Sequence, residues 1–224
     1  MSQIAIDGPA GAGKSTVARE TAKRLGFVYV DTGAMYRTLA LACIEKGVDT
    51  GDEAAASKCC AEADVNTVYE DGVQQMYLNG RCVSEDIRQE KVSEGASQVA
   101  RHAAVRKRLV AMQRELGRRY DVVMDGRDIG TTVLPDAELK IYLTASSECR
   151  AMRRYWELSG KGVFCCPDDI KRDIEARDLS DMTREISPLR QAEDAVLVDT
   201  SDMDIGQVTG RIIELYNSRA ANTH

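Results

Sequence analysis

Histidine is scarce in this chain: His102 and His224 are the only two in 224 residues. That leaves no basis for a histidine-centred metal site or a histidine-based triad. Positive charge is short as well, with 30 Lys and Arg against 36 Asp and Glu and a net charge of −6. General nucleic-acid binding rests on a basic face, so no nucleic-acid partner is expected and any positive site must be a local cluster. No apolar run approaches the roughly 20 residues that span a bilayer, so no membrane partner is expected. The N-terminus enters a strand-like run directly, without the basic and apolar regions of a signal peptide. The seven cysteines form no C-x-x-C pair, and Cys59-Cys60 and Cys165-Cys166 are adjacent, which is not zinc spacing. Reduced thiols in a cytoplasmic, monomeric protein are the expectation. Internal repeats, linkers and low-complexity tracts are missing too.

What is present is ample for a core. Hydrophobic residues make up 43% of the chain, ordinary for a globular protein, and the length suits one large domain or a core with inserts. The chain is organised around Gly8-Pro9-Ala10-Gly11-Ala12-Gly13-Lys14-Ser15, which fits the phosphate-loop pattern G-x-x-x-x-G-K-[ST]. The apolar run 3–7 precedes it as a strand. Val17, Thr21 and Leu25 recur at intervals of four behind it as a helix, and Gly26 supplies a stop. Glycines let the backbone wrap a polyphosphate closely, and loop amides at a helix N-terminus point at its oxygens. Residues 8–16, through Thr16, are therefore the expected ATP contacts. Lys14 reaches the β- and γ-phosphates and the Ser15 hydroxyl holds Mg²⁺. Four fixed positions coincide by chance in roughly one chain in a hundred of this length, and the flanking strand and helix make chance a poor account.

Along the rest of the chain, 27–30, 121–125, 139–143 and 195–199 read as further buried strands. Helices are expected over 34–46, 52–63, 84–119 (broken near Gly95 and His102), from Ser146 on, from Pro167 on, and over 205–217. Five short apolar strands alternating with helices predict an α/β fold, a five-stranded parallel sheet with helices on both faces. Between 65 and 83 the period changes. Three short strand-like runs are separated by Asp71-Gly72 and Asn79-Gly80, the dipeptides of tight hairpins. Residues 220–224 are expected to fray.

A phosphate loop alone does not separate a kinase from a switch, although the lack of an N-K-x-D segment weakens a GTPase reading. Over nearly its whole length the chain resembles the bacterial-type cytidylate kinases, within the nucleoside-monophosphate kinases. The resemblance is carried by I-D-G-P-A-G-A-G-K-S-T from Ile6, D-T-G-A-M-Y-R from Asp31 and A-S-Q-V-A from Ala96. It continues with D-G-R-D-I-G-T-T-V-L-P-D-A from Asp125 and R-D-L-S-D-M-T-R from Arg177. It implies an adenylate-kinase-like core over 1–63 and 84–224, a monophosphate-binding insert over 64–95, and a short lid over 155–168. It implies transfer of the γ-phosphoryl group of ATP to CMP, and to dCMP as a second acceptor.

The resemblance also implies site roles. Asp128 and the Thr32 hydroxyl, a position where the family often has Ser, would take the cytosine amine, with Arg106 donating to the ring. Arg37, Arg127 and Arg184 would hold the acceptor phosphate, while Ser97, Arg177 and Asp181 would meet the sugar. Asp181 would also fix an arginine. Asp125, at a strand end, would hold Mg²⁺ through water together with Ser15. Arg153 and Lys161, and less directly Arg150 and Arg154, would neutralise the moving phosphoryl group from the lid. Lys14, Arg127, Arg153 and Arg184 form the expected catalytic set. The lid thiols Cys165 and Cys166 are not expected to hold a metal. The competing readings are a kinase for UMP, AMP or shikimate, a non-enzymatic nucleotide switch, and a nucleic-acid ATPase. The arginine set speaks against a switch, which has no second phosphate to hold.

Overall fold

A computed structural model describes residues 1–70 and 72–221. Among the described residues, eight strands and eight α-helices follow in chain order. They are β1 (Gln3–Asp7), α1 (Lys14–Leu25), β2 (Val28–Asp31), α2 (Thr32–Glu45), α3 (Glu53–Glu62), β3 (Val65–Glu70), β4 (Val73–Leu78) and β5 (Arg81–Cys82). Then come α4 (Glu90–Val99), α5 (Ala103–Arg119), β6 (Val122–Gly126), β7 (Leu139–Thr144), α6 (Ser147–Gly160), α7 (Pro167–Thr183), β8 (Val196–Asp199) and α8 (Ile205–Ala221). The strands form a five-stranded sheet ordered β2-β6-β1-β7-β8 and a three-stranded sheet ordered β3-β4-β5. The α/β class and the five-stranded sheet expected from the sequence are both present. No helix among the described residues is long and apolar enough to cross a membrane.

Two compact units divide the chain: Ser2–Phe27 with the residues from Val123 onward, and Val28–Val122 with Met1. In the first, β1 and β7 pair in parallel with Ile6 opposite Ile141, and β7 pairs with β8 with Leu143 opposite Val198. Ile4, Ile6, Leu139, Ile141 and Leu143 are fully buried. Such continuous apolar strands suit a sheet covered by other layers. Because the strands run the same way, Asp7 and Thr144 end at one edge, where α/β proteins place their ligand loops.

In the second unit, the meander is antiparallel, with Val65 opposite Leu78 and Tyr77 opposite Cys82. Asn79 and Gly80 have φ of 50° and 80°, the paired left-handed residues a tight hairpin needs. Asp71 of the other expected turn, and residues 222–224 of the expected frayed end, lie outside the described residues. Met35, Leu39, Cys43, Cys60, Val92 and Leu109 pack the unit's core. The Arg108 guanidinium caps α3, donating to the carbonyls of Cys60 and, at 2.7 Å, Ala63. All seven cysteines are free thiols.

Several boundaries differ from the sequence reading; α8 runs to Ala221, past the expected end at Asn217 and into the residues expected to fray. α4 runs unbroken through Gly95; among the described residues the stretch breaks instead at Gln89, which is extended just before α4, and again at 100–102 before α5. A Cβ at Gly95 would stand 3.2 Å from Thr50 Cγ2 and 3.3 Å from Ala40 Cβ. The glycine marks a close approach of neighbouring segments, not a helix end. α2 starts at Thr32 instead of Ala34, because the Asp31 carboxylate caps it, accepting the Ala34 N–H at 2.8 Å. Of the expected lid, only 161–166 is loop, since α6 extends to Gly160 and α7 starts at Pro167.

Candidate active site

The site grows from the turn between β1 and α1. Gly8 has φ 151°, and a Cβ there would lie 2.0 Å from the Leu143 carbonyl oxygen. Only glycine lets the loop leave the sheet so close to β7. Ala10 and Ala12 are buried, while Ser15 and Thr16 face solvent at the start of α1. The Lys14 side chain folds back along the loop, and its ammonium donates to the Pro9 carbonyl at 2.7 Å. Burial pushes the Lys14 pKa down to about 7. The Arg127 cation pushes it the same way, and Asp125, Asp7 and Asp181 act against both.

β6 delivers the next group. Asp125, buried at its C-terminal end, accepts a hydrogen bond from the Ser15 hydroxyl at 2.8 Å. The two residues expected to hold Mg²⁺ therefore meet. One hydroxyl and one carboxylate, with phosphate oxygens and water completing six oxygens, is a donor set that magnesium accepts. Among the described residues no group of three His, Cys, Asp or Glu side chains is arranged to hold a metal by itself.

Beyond Asp125 the chain turns through Arg127 and Asp128 into a short wide helical turn, Ile129–Val133. It is closed by i→i+5 bonds from the Val133 N–H to Asp128 (3.2 Å) and from the Leu134 N–H to Ile129 (2.7 Å). Asp7 anchors this turn. Its two carboxylate oxygens accept the N–H groups of Ile129 and Gly130, each at 2.7 Å. Burial raises the Asp7 pKa to about 6 despite those two bonds.

α7 faces these residues with a complementary set. Arg127 Nε donates to Asp181 Oδ2 at 2.7 Å. Burial alone would raise the Asp181 pKa, and Arg127 overcomes it and holds the carboxyl below its usual range. Arg184 Nη2 lies 3.1 Å from Asp128 Oδ1, with both side chains nearly buried. Arg184 also donates from Nε to the Ser187 carbonyl at 2.6 Å. A guanidinium carries five N–H donors, the fork geometry that suits a phosphate. Arg177 is exposed on the same helix.

In the other unit, Arg37 pairs with Asp31 at 2.9 Å. Gln74 of β4 brackets the Asp31 backbone, accepting its N–H at 2.6 Å and donating to its carbonyl at 3.3 Å. Thr32 is buried at the start of α2, and the Ser97 hydroxyl donates to the Ser93 carbonyl at 3.4 Å on α4. Arg106 is buried with its guanidinium 5.9 Å from the Tyr36 ring centroid.

The expected lid residues are placed less uniformly. The Arg153 guanidinium donates to the Thr200 carbonyl at 2.5 Å and to its hydroxyl at 3.1 Å. Lys161 and Arg154 both pair with Glu157, at 2.7 and 2.9 Å. Arg150 is not a lid residue. It lies buried beneath the phosphate loop, donating to the Ala10 carbonyl at 2.8 Å. Asp7, Asp31, Gln74, Arg150 and Asp178 have roles here that sequence reasoning did not assign. For Asp7 a signal existed, an acid at the end of a buried strand directly before the loop.

The cytidylate kinase family model matches residues 4–218. Cytidylate kinase of Lactobacillus johnsonii is 47% identical over 222 residues, covering 99% of this chain and 96% of that protein. Cytidylate kinase of Carboxydothermus hydrogenoformans is 48% identical over 213 residues, covering 95% and 96%. A solved structure of an uncharacterized protein from Eubacterium ventriosum shares the fold, with a TM-score of 0.52 at 11% identity, covering 97% of this chain and 99% of that one. With similarity running from the first strand to the last helix, this chain belongs to the cytidylate kinase family.

Proposed function

We propose that this protein transfers the γ-phosphoryl group of ATP to CMP, and to dCMP as a second acceptor, giving ADP and the nucleoside diphosphate. What supports the reading beyond family membership is the Ser15–Asp125 hydrogen bond at 2.8 Å, which ties the phosphate loop to the strand whose end leads into Arg127 and Asp128. Lys14 of the donor loop and Arg127 beside Asp128 therefore belong to adjoining segments. Two anionic reactants are what such a pair would bring together.

In this reading a phosphate oxygen of CMP attacks the γ-phosphorus, one O–P bond forms, and the bond to the β-phosphate oxygen breaks. The acceptor oxygen is already anionic, so no general base is required. Lys14 and the amides of 8–16 would hold the donor. Arg127 and Arg184, oriented by Asp181 and Asp128, would hold the acceptor phosphate with Arg37. Asp128, Thr32 and Arg106 would read cytosine, and Ser97, Arg177 and Asp181 would meet the sugar. Arg153 would act on the transferring group after leaving Thr200. Ser15 and Asp125 would hold Mg²⁺, which would supply charge neutralisation for the donor's phosphates. Residues 64–95 as monophosphate insert and 155–168 as lid, and a monomeric state, belong to the same reading.

The test is ADP release with CMP, dCMP, UMP, AMP or no acceptor, in the wild type and Asp128→Asn. The wild type is expected to favour CMP and dCMP. The variant is expected to lose about 10-fold or more of its CMP over UMP preference, about 1.4 kcal/mol of discrimination. Equal rates with and without acceptor would refute the transfer reading.

A further inference from the structure

Ala10, the third residue of the phosphate loop, is gripped through both of its backbone groups. Its N–H donates to Asp178 Oδ1 at 2.9 Å, and its carbonyl accepts from Arg150 Nη1 at 2.8 Å. Arg150 and Asp178 pair with each other at 2.5 Å, with side chains only 7% and 10% exposed. Arg150 Nε also donates to the Ala145 carbonyl at 3.0 Å, which fixes the plane of the guanidinium. The next residue, Gly11, lies against the same two helices. A Cβ there would be 3.4 Å from Arg150 Cβ and 3.8 Å from Ile174 Cδ1.

α7 carries a second carboxylate one turn later. Asp178 and Asp181 are three apart and so face the same side of the helix. Asp178 holds the donor loop, and Asp181 holds Arg127 at 2.7 Å. One rigid turn of α7 therefore spans from the phosphate loop to the arginine proposed to bind the acceptor phosphate. Burying an ion pair is a poor way to gain stability, because desolvation offsets the attraction. Here the pair supplies what apolar residues could not, a donor and an acceptor for a buried loop peptide.

We propose that the buried Arg150–Asp178 pair is a positioning device: it fixes Ala10 of the phosphate loop and, through α7, keeps that loop in register with Arg127. The inference rests on the reading that the loop holds ATP and that Arg127 meets the acceptor. Neither side chain need touch a substrate. A loop displaced by about 1 Å misaligns donor and acceptor, a fault that costs on the order of 100-fold in rate.

The experiment compares wild type, Asp178→Ala, Asp178→Asn and Arg150→Lys. Three quantities are read: kcat for CMP-dependent ADP release, Kd for MgATP by equilibrium titration, and Kd for CMP without ATP. For Asp178→Ala we expect kcat to fall about 10- to 100-fold and MgATP to bind about 10-fold more weakly, about 1.4 kcal/mol. CMP affinity should stay within about 2-fold. Asp178→Asn keeps an oxygen for the Ala10 N–H and should recover most of the lost kcat. Lysine at 150 cannot reach Ala145, Ala10 and Asp178 together, so Arg150→Lys should lose about 5-fold or more in kcat with CMP binding unchanged. It decides the matter should Asp178→Ala fail to fold.

The proposal is overturned if Asp178→Ala, or Arg150→Lys in its place, keeps kcat and MgATP affinity within about 2-fold of wild type. It is equally overturned if CMP affinity falls by the same factor as kcat, the mark of a merely structural pair. A wild type that binds MgATP without CMP-dependent turnover would sink the functional reading instead, and the MgATP titrations would still decide the grip on Ala10.

Discussion

Replacing Asp7 by asparagine should make the protein gain stability relative to the wild type as pH rises, and should make it less active. A protonated Asp7 and an asparagine have nearly the same shape, but the carboxyl keeps an acceptor on each oxygen while the amide nitrogen only donates. The variant therefore leaves one of the Ile129 and Gly130 N–H groups without its acceptor, a pH-independent cost of about 1–3 kcal/mol. Apart from that constant cost, the variant behaves as a wild type whose residue 7 never ionises. Burial raises the Asp7 pKa from 3.8 to about 6 in the folded chain. Between those values the folded state holds a proton that the unfolded state has released, so stability falls as pH rises through the window. The gap is roughly two pH units, which at 1.36 kcal/mol per unit is about 3 kcal/mol.

Asp7→Asn should lie below the wild type by that constant cost near about pH 3.5 and gain on it by about 3 kcal/mol by about pH 8. That gain corresponds to about 6–12 °C of Tm for a chain of this size. Activity should move the other way. Both charged acceptors of the Ile129 and Gly130 N–H groups are lost and a single neutral one replaces them, the Arg127–Asp128 turn loosens, and Lys14 loses a carboxylate that favours its ammonium. A kcat loss of about 10-fold is expected, an instance of stability given up at a functional site. The assay is thermal melting of both proteins across about pH 4 to 8, with steady-state turnover at about pH 7.5. A Tm difference independent of pH, or one that shifts toward the wild type as pH rises, would refute the reasoning.

Two further outcomes follow from the same physics. With its pKa lowered to about 7 by burial and Arg127, Lys14 is largely neutral at about pH 8.5 and should regain its proton when phosphates arrive. Titration calorimetry in buffers of different ionisation enthalpy should then show uptake approaching one proton at about pH 8.5 and little at about pH 6, relative to Lys14→Met; equal uptake at both pH values would remove the claim. Gly95→Ala and Gly210→Ala should have opposite signs. The first forces a Cβ against Thr50 and Ala40, costing about 1–3 kcal/mol against a gain of about 1 kcal/mol in helix propensity. The second meets nothing within 4 Å inside α8 and should stabilise by about 0.5–1 kcal/mol; urea midpoints measure both, and matching signs would count against the packing account.

Local chemistry was enough for the strands, most helices, the phosphate loop and the hairpin meander. Each of these is written in adjacent residues: a period of two or of about 3.6, an Asn-Gly pair, a glycine-rich turn before a lysine. Ser15 and Asp125 were named as a pair from motifs 110 residues apart, and the fold brings their side chains to 2.8 Å. Sequence alone went wrong where a residue's meaning lies in its distant neighbours. Gly95 looks like a helix end until Ala40 and Thr50 are seen against it. Arg150, sharing a helix face with Arg154, looks like another lid cation until Ala10 and Asp178 enclose it. Nothing local to Arg127 and Asp128 shows that the first pairs with Asp181 and the second with Arg184, more than fifty residues on.

The sequence by itself determined which segments are strand or helix and which residues can carry phosphate chemistry, because those properties depend on neighbours within a few positions. The tertiary structure alone decided which charge answers which, and so which side chains stay free to meet a ligand and which hold the loop. Burial and pairing are set by residues far along the chain, 54 positions away between Arg127 and Asp181 and 168 between Ala10 and Asp178.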